Sequence, residues 1–268
     1  MNSVKNKKTC AETVAGLLSK ESESRKTRAD HGHSLLVADI RIPAQFDREA
    51  GTVSVSHKCL EKWAEAGWRG NPLIALLNFG DNGSRRIVEI HNLADGNCLL
   101  YALAFYLCVT RPNWHEPVMD LRQSLLREVK RRLREPDADL ERFQAQLEDS
   151  SRSEKAPWLG DLADRYVFFR ETDGVDLGDL EIAAFTRLYG LTVCVWRVVQ
   201  ENGFDELRRI SMMPDDGSDS IRLKPGDAIP DFGTCVHVRF YRTKSGGGHY
   251  TLLALLDSGA TGFGRRYV

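Results

Sequence analysis

The run Cys98-Leu-Leu-Tyr-Ala-Leu-Ala-Phe-Tyr-Leu-Cys-Val109 is apolar on every side at helical spacing. That pattern predicts a helix buried all round rather than one lying on a surface. It is well short of the ~18 residues needed to cross a membrane. Other segments have one apolar face only. In MDLRQSLLREVKRRLRE, residues 119–135, Leu121, Leu125, Val129 and Leu133 recur every fourth position, which predicts an amphipathic helix whose Arg and Lys side chains form a solvated face. HKCLEKWAEAGWRG, 57–70, reads as a helix closed by glycine, and GDLEIAAFTRLYG, 178–190, as a helix ended by Gly190. A further charged helix is expected over 137–148. Period-two alternation and β-branched residues predict strands at 85–93 (RRIVEIHNL), 191–199 (LTVCVWRVV), 206–213 (ELRRISMM), 234–241 (TCVHVRFY) and 249–256 (HYTLLALL). SLLVADIRIPAQF, 34–46, reads as one strand, and NPLIALLNFG, 71–80, as a buried strand or short helix. Residues 150–160 and 214–233 read as loop or turn-rich. Helices come first and a strand-rich half follows, which suggests an α+β domain with a mainly antiparallel sheet.

Composition narrows the class. The chain has 268 residues, long enough for a sizeable core. Its 37 Lys and Arg against 38 Asp and Glu leave a net charge of −1, which argues against a dedicated nucleic-acid binder. Six cysteines are scattered and never form a CxxC pair, so neither a disulfide framework nor a zinc site is expected, and no cofactor or metal is implied. Scattered thiols suit a reducing compartment, in which one of them can be singled out for chemistry. Residues 1–33 are rich in Ser, Lys, Glu and Arg and read as a flexible leader, either a plain tail or a targeting signal. Residues 34–86 form an N-terminal extension, 87–257 the main domain and 258–268 a tail.

The polar turn Ala94-Asp95-Gly96-Asn97 runs directly into Cys98. A helix start gathers unpaired N–H groups and the positive end of the dipole, which lowers a thiol pKa. The same N–H groups can bind an oxyanion. Gly96 allows close approach of a substrate, and Asp95 and Asn97 are good turn or cap residues. A capped core helix that happens to begin with cysteine is the competing reading. A cysteine nucleophile needs a base, and His249 stands out among seven histidines: it follows Ser245-Gly246-Gly247-Gly248 and opens a predicted strand.

DGNCLLYAL, 95–103, followed some 150 residues later by GGGHYTLLAL, 246–255, resembles the ovarian-tumour (OTU) family of cysteine deubiquitinases. That family opens its catalytic core with D-G-x-C-L-[FY] and ends it with H-[YWF]. GDLEIAAFTRLYGLTVCVW, 178–196, resembles the helix–strand element between them. The resemblance covers about Ile87 to Asp257 and implies a papain-like OTU fold, in which a central buried helix carrying the cysteine packs on the sheet with flanking helices. It implies hydrolysis of the isopeptide bond at the C-terminus of ubiquitin, with Cys98 as nucleophile and His249 as base. Asp95 would hold the turn, and Gly96 and Asn97 would shape the oxyanion hole. Gly247 and Gly248 would wall the channel for ubiquitin's glycine tail, and Asp176, with Asp173 and Asp179, would meet its arginines. The expected partners are ubiquitin or polyubiquitin chains bound by a monomer, with no nucleic acid and no membrane span. A cytoplasmic location is expected, whether the protein is host-encoded or delivered into a host cytosol as an effector.

Two departures qualify the resemblance. Family members often carry Asp or Asn two residues after the histidine, where this chain has Thr251; Asp95, Asn92 and Asp257 are the alternative acceptors. Where many members have Trp-Gly before the second helix, this chain has Asp176-Leu177. The alternatives are a weak or dead ubiquitin-binding module, or a hydrolase of another ubiquitin-like modifier.

Overall fold

The computed structural model describes residues 32–65, 74–76, 85–111, 113–135, 161–201, 204–214, 221–223, 228–242 and 248–257. The strands are β1 (His33–Val37), β2 (Ile40–Asp47), β3 (Thr52–Val55), β4 (Ile74–Leu76), β5 (Arg85–Ile90), β6 (Thr192–Glu201), β7 (Phe204–Met213), β8 (Ile221–Arg222), β9 (Cys235–Arg242) and β10 (Gly248–Asp257). The helices are α1 (His57–Glu65), α2 (Cys98–Thr110), α3 (Val118–Leu133), α4 (Leu162–Arg170) and α5 (Asp179–Tyr189). The architecture is α+β, and every strand pairing is antiparallel except that of β6 with β9.

β10 organises the sheet. Along one edge it pairs with β5 over Leu252–Asp257. Its other edge is shared, β9 taking Gly248–Leu253 and β1 taking Leu255–Asp257. Because β1 continues through β2, β3 and β4 back to β5, these strands and β10 close into a small barrel, from which β9, β6, β7 and β8 extend. The strands before residue 86 therefore share one sheet with those that follow.

α2 is the core of the molecule. Its residues from Cys98 through Cys108 are all buried, in one cluster with Val88, Ile90, Leu252 and Ala254 from one face of the sheet and with Leu121, Leu125 and Val129 of α3. Alternate residues of the same strands, among them Ile87, Cys194, Trp196 and Leu253, form a second cluster on the opposite face.

Several local expectations need correction. The segment 34–46 is a hairpin rather than one strand: Val37 pairs with Ile40, leaving a two-residue turn in which Ala38 takes φ +51°. Non-glycine residues rarely adopt that conformation, so apolar alternation across the turn masked the break. β3 and α4 carry no strong periodicity and were not anticipated. α4 is signalled instead by its N-cap, the Asp161 carboxylate accepting the Ala163 N–H at 2.7 Å. β8 lies inside the turn-rich stretch. The leader to residue 31, the tail from 258 and the helix expected over 137–148 lie outside the described residues.

Candidate active site

The turn before α2 is held by its own Asp95 and by side chains that the chain supplies from far away. Asp95 Oδ1 accepts the Asn97 N–H at 3.1 Å, and its Oδ2 accepts the Tyr101 hydroxyl at 2.9 Å. Asn97 makes no side-chain cap to its own helix. Its Nδ2 instead donates to Asp173 at 2.6 Å, and its Oδ1 accepts from Arg122 Nη2 at 2.7 Å. Arg122, on α3, is 0% exposed. It also donates to the carbonyls of Arg170 at 2.6 Å and Val175 at 2.9 Å, with Gly96 O more distant at 3.4 Å. One guanidinium therefore ties the turn before α2 to the segment between α4 and α5, a use suited to its planar fork of donors. The expectation that the Arg and Lys residues of α3 form a solvated face is overturned at this position. Four-residue periodicity identifies the apolar stripe but cannot distinguish a polar residue at its margin from a buried clamp.

Gly96 has φ +83°, and a Cβ there would lie 1.9 Å from Gly174 O. Backbone lies against backbone at this point, so only glycine fits.

Cys98 Sγ accepts the Tyr250 N–H at 3.3 Å and lies 3.9 Å from Gly248 O. These are the backbone groups on either side of His249, so α2 and β10 meet at the sulfur. Asn92 fastens the same junction, its Nδ2 donating to Cys98 O at 2.9 Å and to Tyr250 O at 3.0 Å. Burial raises the Cys98 thiol to about 11. The N–H groups of Tyr250 and Leu99 lower it, while the charges of Asp176 and Asp95 raise it further. This corrects the expected depression by the helix start: the N–H groups act in that direction, but desolvation outweighs them.

His249 is buried, its ring edge-on to Tyr241 at 5.0 Å, and its Nδ1 has no hydrogen-bond partner among the described residues. Burial lowers its pKa; Glu89 opposes that, His91 reinforces it, and Asp176 and Asp95 oppose it more weakly. Burial thus pushes both the thiol and the imidazole towards their neutral forms. Thr251 donates its hydroxyl to Glu89 Oε1 at 2.6 Å, and Arg239 donates to Glu89 Oε2 at 2.6 Å. None of the three alternative acceptors is hydrogen-bonded to His249. Asp257 pairs with Arg41 at 2.7 Å, and Asp95 and Asn92 are occupied as described above. Glu89, 2% exposed, was missed by sequence reasoning. Its signal is faint: it is the one carboxylate within RRIVEI, on the same strand face as His91.

Of the residues expected along a substrate channel, Gly247 lies outside the described residues. Gly248 is packed so that a Cβ would lie 2.6 Å from the Phe240 ring. Asp176 is exposed, and its charge acts on both Cys98 and His249. Asp173 is bonded to Asn97, and Asp179 pairs with Arg197 at 3.3 Å.

Among the described residues, one group brings soft donors together: Cys194, Cys235 and His237, with ligand atoms within 4.8 Å of one another. The spacing alone would admit a metal. However, Trp196 Nε1–H donates to His237 Nδ1 at 2.9 Å, which leaves the proton of the neutral ring on Nε2, the atom that would have to ligate. The donor set does not fit a metal. Burial lowers the His237 pKa to about 4, against the Asp231 backbone and charge. Protonation then favours the unfolded chain, whose histidine titrates near 6.5. Stability is retained above pH 6.5 and lost as pH falls towards 4. Urea unfolding at pH 4.5 is expected to give about 2–3 kcal/mol less stability than at pH 7 from this group. Equal midpoints at the two pH values would contradict a neutral, buried His237.

No helix among the described residues is long and apolar enough to cross a membrane. No family model matches the chain, and no curated protein matches it either. Solved structures do. An OTU deubiquitinase from Wolbachia pipientis wMel, solved bound to ubiquitin, is 13% identical with a TM-score of 0.43, over 62% of this chain and 94% of that one. The Hazara virus OTU bound to ubiquitin is 20% identical with a TM-score of 0.36, over 68% and 89%. The viral OTU domain protease from Qalyub virus is 15% identical with a TM-score of 0.34, over 67% and 97%. These solved structures to which the chain is similar are all OTU domains.

Proposed function

We propose that the protein is a thiol-dependent deubiquitinase of the papain-like kind, hydrolysing isopeptide bonds at the C-terminus of ubiquitin. The observation that carries this reading is the junction at Cys98: a sulfur at the start of a rigid buried helix, 3.3 Å from the N–H that follows His249. In this reading the His249 imidazole takes the thiol proton as the sulfur attacks the carbonyl carbon. An S–C bond forms, and the carbonyl electron pair moves onto oxygen. Collapse breaks the C–N bond, and the imidazolium returns its proton to the departing lysine amine. Water then hydrolyses the thioester, restoring thiol and carboxylate. Because the Asn97 N–H is committed to Asp95, the turn's oxyanion donors are the N–H groups of Gly96 and Cys98. Asp176 would receive an arginine of the ubiquitin tail.

A weakly active ubiquitin-binding module is the second reading, favoured by a thiol raised to about 11 and an imidazole with an unpartnered Nδ1. The experiment is incubation of the protein with ubiquitin bearing a C-terminal electrophile, followed by intact mass and peptide mapping. One ubiquitin attached to Cys98 is expected. Attachment at another cysteine would sink the assignment of the nucleophile. Labelling only by probes built on other ubiquitin-like modifiers would move the substrate, and retention of ubiquitin without an adduct would favour the binding module.

A further inference from the structure

We propose that Glu89, acting through the Thr251 hydroxyl, is the anionic partner that orients and charges His249. This rests on the assignment of His249 as the base. The two residues after His249 on β10 return the chain to the same strand face, which places Thr251 beside the histidine. Its hydroxyl proton is already committed, donated to Glu89 Oε1 at 2.6 Å. The oxygen therefore presents lone pairs and can only accept from a further neighbour. His249 Nδ1 is buried and has no hydrogen-bond partner among the described residues, and in this proposal it carries the proton. The link from Nδ1–H to Thr251 Oγ1 is the one the structure leaves open. On this reading the ring closes this link in the free protein in solution. Once closed, it sets the tautomer, leaving the Nε2 lone pair for the thiol proton, and it connects the imidazolium to a carboxylate.

Both oxygens of Glu89 are held by partners. The residue is 2% exposed, and Arg239 holds its second oxygen at 2.6 Å. The groups acting on His249 are Glu89 from β5, His91 just after it, Asp95 from the turn, Asp176 from the segment before α5 and the Tyr241 ring from β9. Of these carboxylates Glu89 acts most strongly on His249. His91 Nε2, 3.9 Å from Glu89 Oε2, competes for the same charge when protonated. The acid that many OTU members carry two residues after the histidine is thus displaced across the sheet, and a threonine spans the gap.

The test is an NMR titration of the His249 ring in the full-length protein, assigned by its loss in His249→Gln, together with hydrolysis of ubiquitin conjugates. Glu89→Gln is expected to lower the His249 pKa by about one unit, as loss of an opposite charge at short range does. Thr251→Val keeps the shape and the Glu89–Arg239 pair but removes the relay. It should lower the same pKa and shift the ring from the Nδ1–H to the Nε2–H tautomer, while Thr251→Ser restores wild-type behaviour. An unchanged His249 titration in folded Thr251→Val would overturn the proposal, even if activity fell. A shift in Glu89→Gln alone would overturn the path through Thr251. If Glu89→Gln fails to fold, the Thr251 pair decides the matter. Wild-type protein that shows these shifts yet hydrolyses no ubiquitin conjugate would defeat the deubiquitinase reading while leaving the relay standing.

Discussion

Gly96→Ala is expected to reduce labelling of Cys98 by an electrophilic ubiquitin at least about 100-fold, the scale of loss that a displacement of about 1 Å causes in a positioned nucleophile. The added Cβ would stand 1.9 Å from Gly174 O, with the carbonyl carbon at 2.2 Å. Both are backbone atoms and cannot rotate aside. The backbone at 96 has φ +83°, which itself costs a non-glycine residue about 1–2 kcal/mol. The turn must therefore move off the 171–176 segment, carrying Cys98 away from the Tyr250 N–H. Gly190→Ala is the control. It has φ +62° but nothing within 4 Å of the added carbon, so it should cost about 1 kcal/mol and leave the labelling rate unchanged. Equal labelling rates for wild type and Gly96→Ala would show that the turn is not held in the position described. The comparison is made by mass spectrometry over time, with circular dichroism to confirm folding.

Arg122→Ala is expected to have the largest effect on stability, about 3–5 kcal/mol, because truncation leaves buried acceptors without donors. At roughly 2–4 °C per kcal/mol for a chain of this size, the melting temperature should fall by about 10 °C or more. Asn97 Oδ1, in a buried bond, and the partly buried carbonyls of Arg170 and Val175 would all lose charged donors. Arg122→Lys should recover little of this, since a single ammonium cannot reach three acceptors in a plane. The effect should extend to the site, because Asn97 loses one of the two partners that hold its side chain. A thermal melt together with the rate of probe labelling would separate the two consequences. A variant with wild-type melting temperature would show that the guanidinium does not bear the load assigned to it.

The two variants act on one structural idea, that the turn before Cys98 is clamped from outside its own helix. Nothing in DGNC announces this. Asp95 and Asn97 read as local turn and cap residues, and Asp95 does bond within the turn, to the Asn97 N–H and the Tyr101 hydroxyl. Asn97, however, spends its side chain on Asp173 and Arg122 rather than on the helix it precedes. The charge state of the site was likewise beyond local reasoning. A helix start favours a thiolate, yet the helix is buried on every side, and desolvation sets the resting thiol near 11. A pKa depends on everything within several ångströms, and most of that environment comes from β5, β10 and the segment before α5.

The chain by itself determined what depends on near neighbours. A twelve-residue apolar run became a helix buried on all sides because no face of it offers polar groups to water. Fourfold and twofold apolar spacing placed α3, α5, β5, β6, β9 and β10, because periodicity records which side of an element faces the core. Where that signal crossed a turn without a change of pattern, at Ala38, or was too short, at β3, the elements were misread. Tertiary structure alone decided which polar residues of those elements are buried and to whom they are bonded. Arg122 on a helix margin, Glu89 in a strand and Thr251 two residues past a histidine each look ordinary in sequence. They become a clamp and a charge relay only when β10 is set between β5 and β9 and α2 is seated against it, because hydrogen bonds and desolvation act over distances that the order of residues does not record.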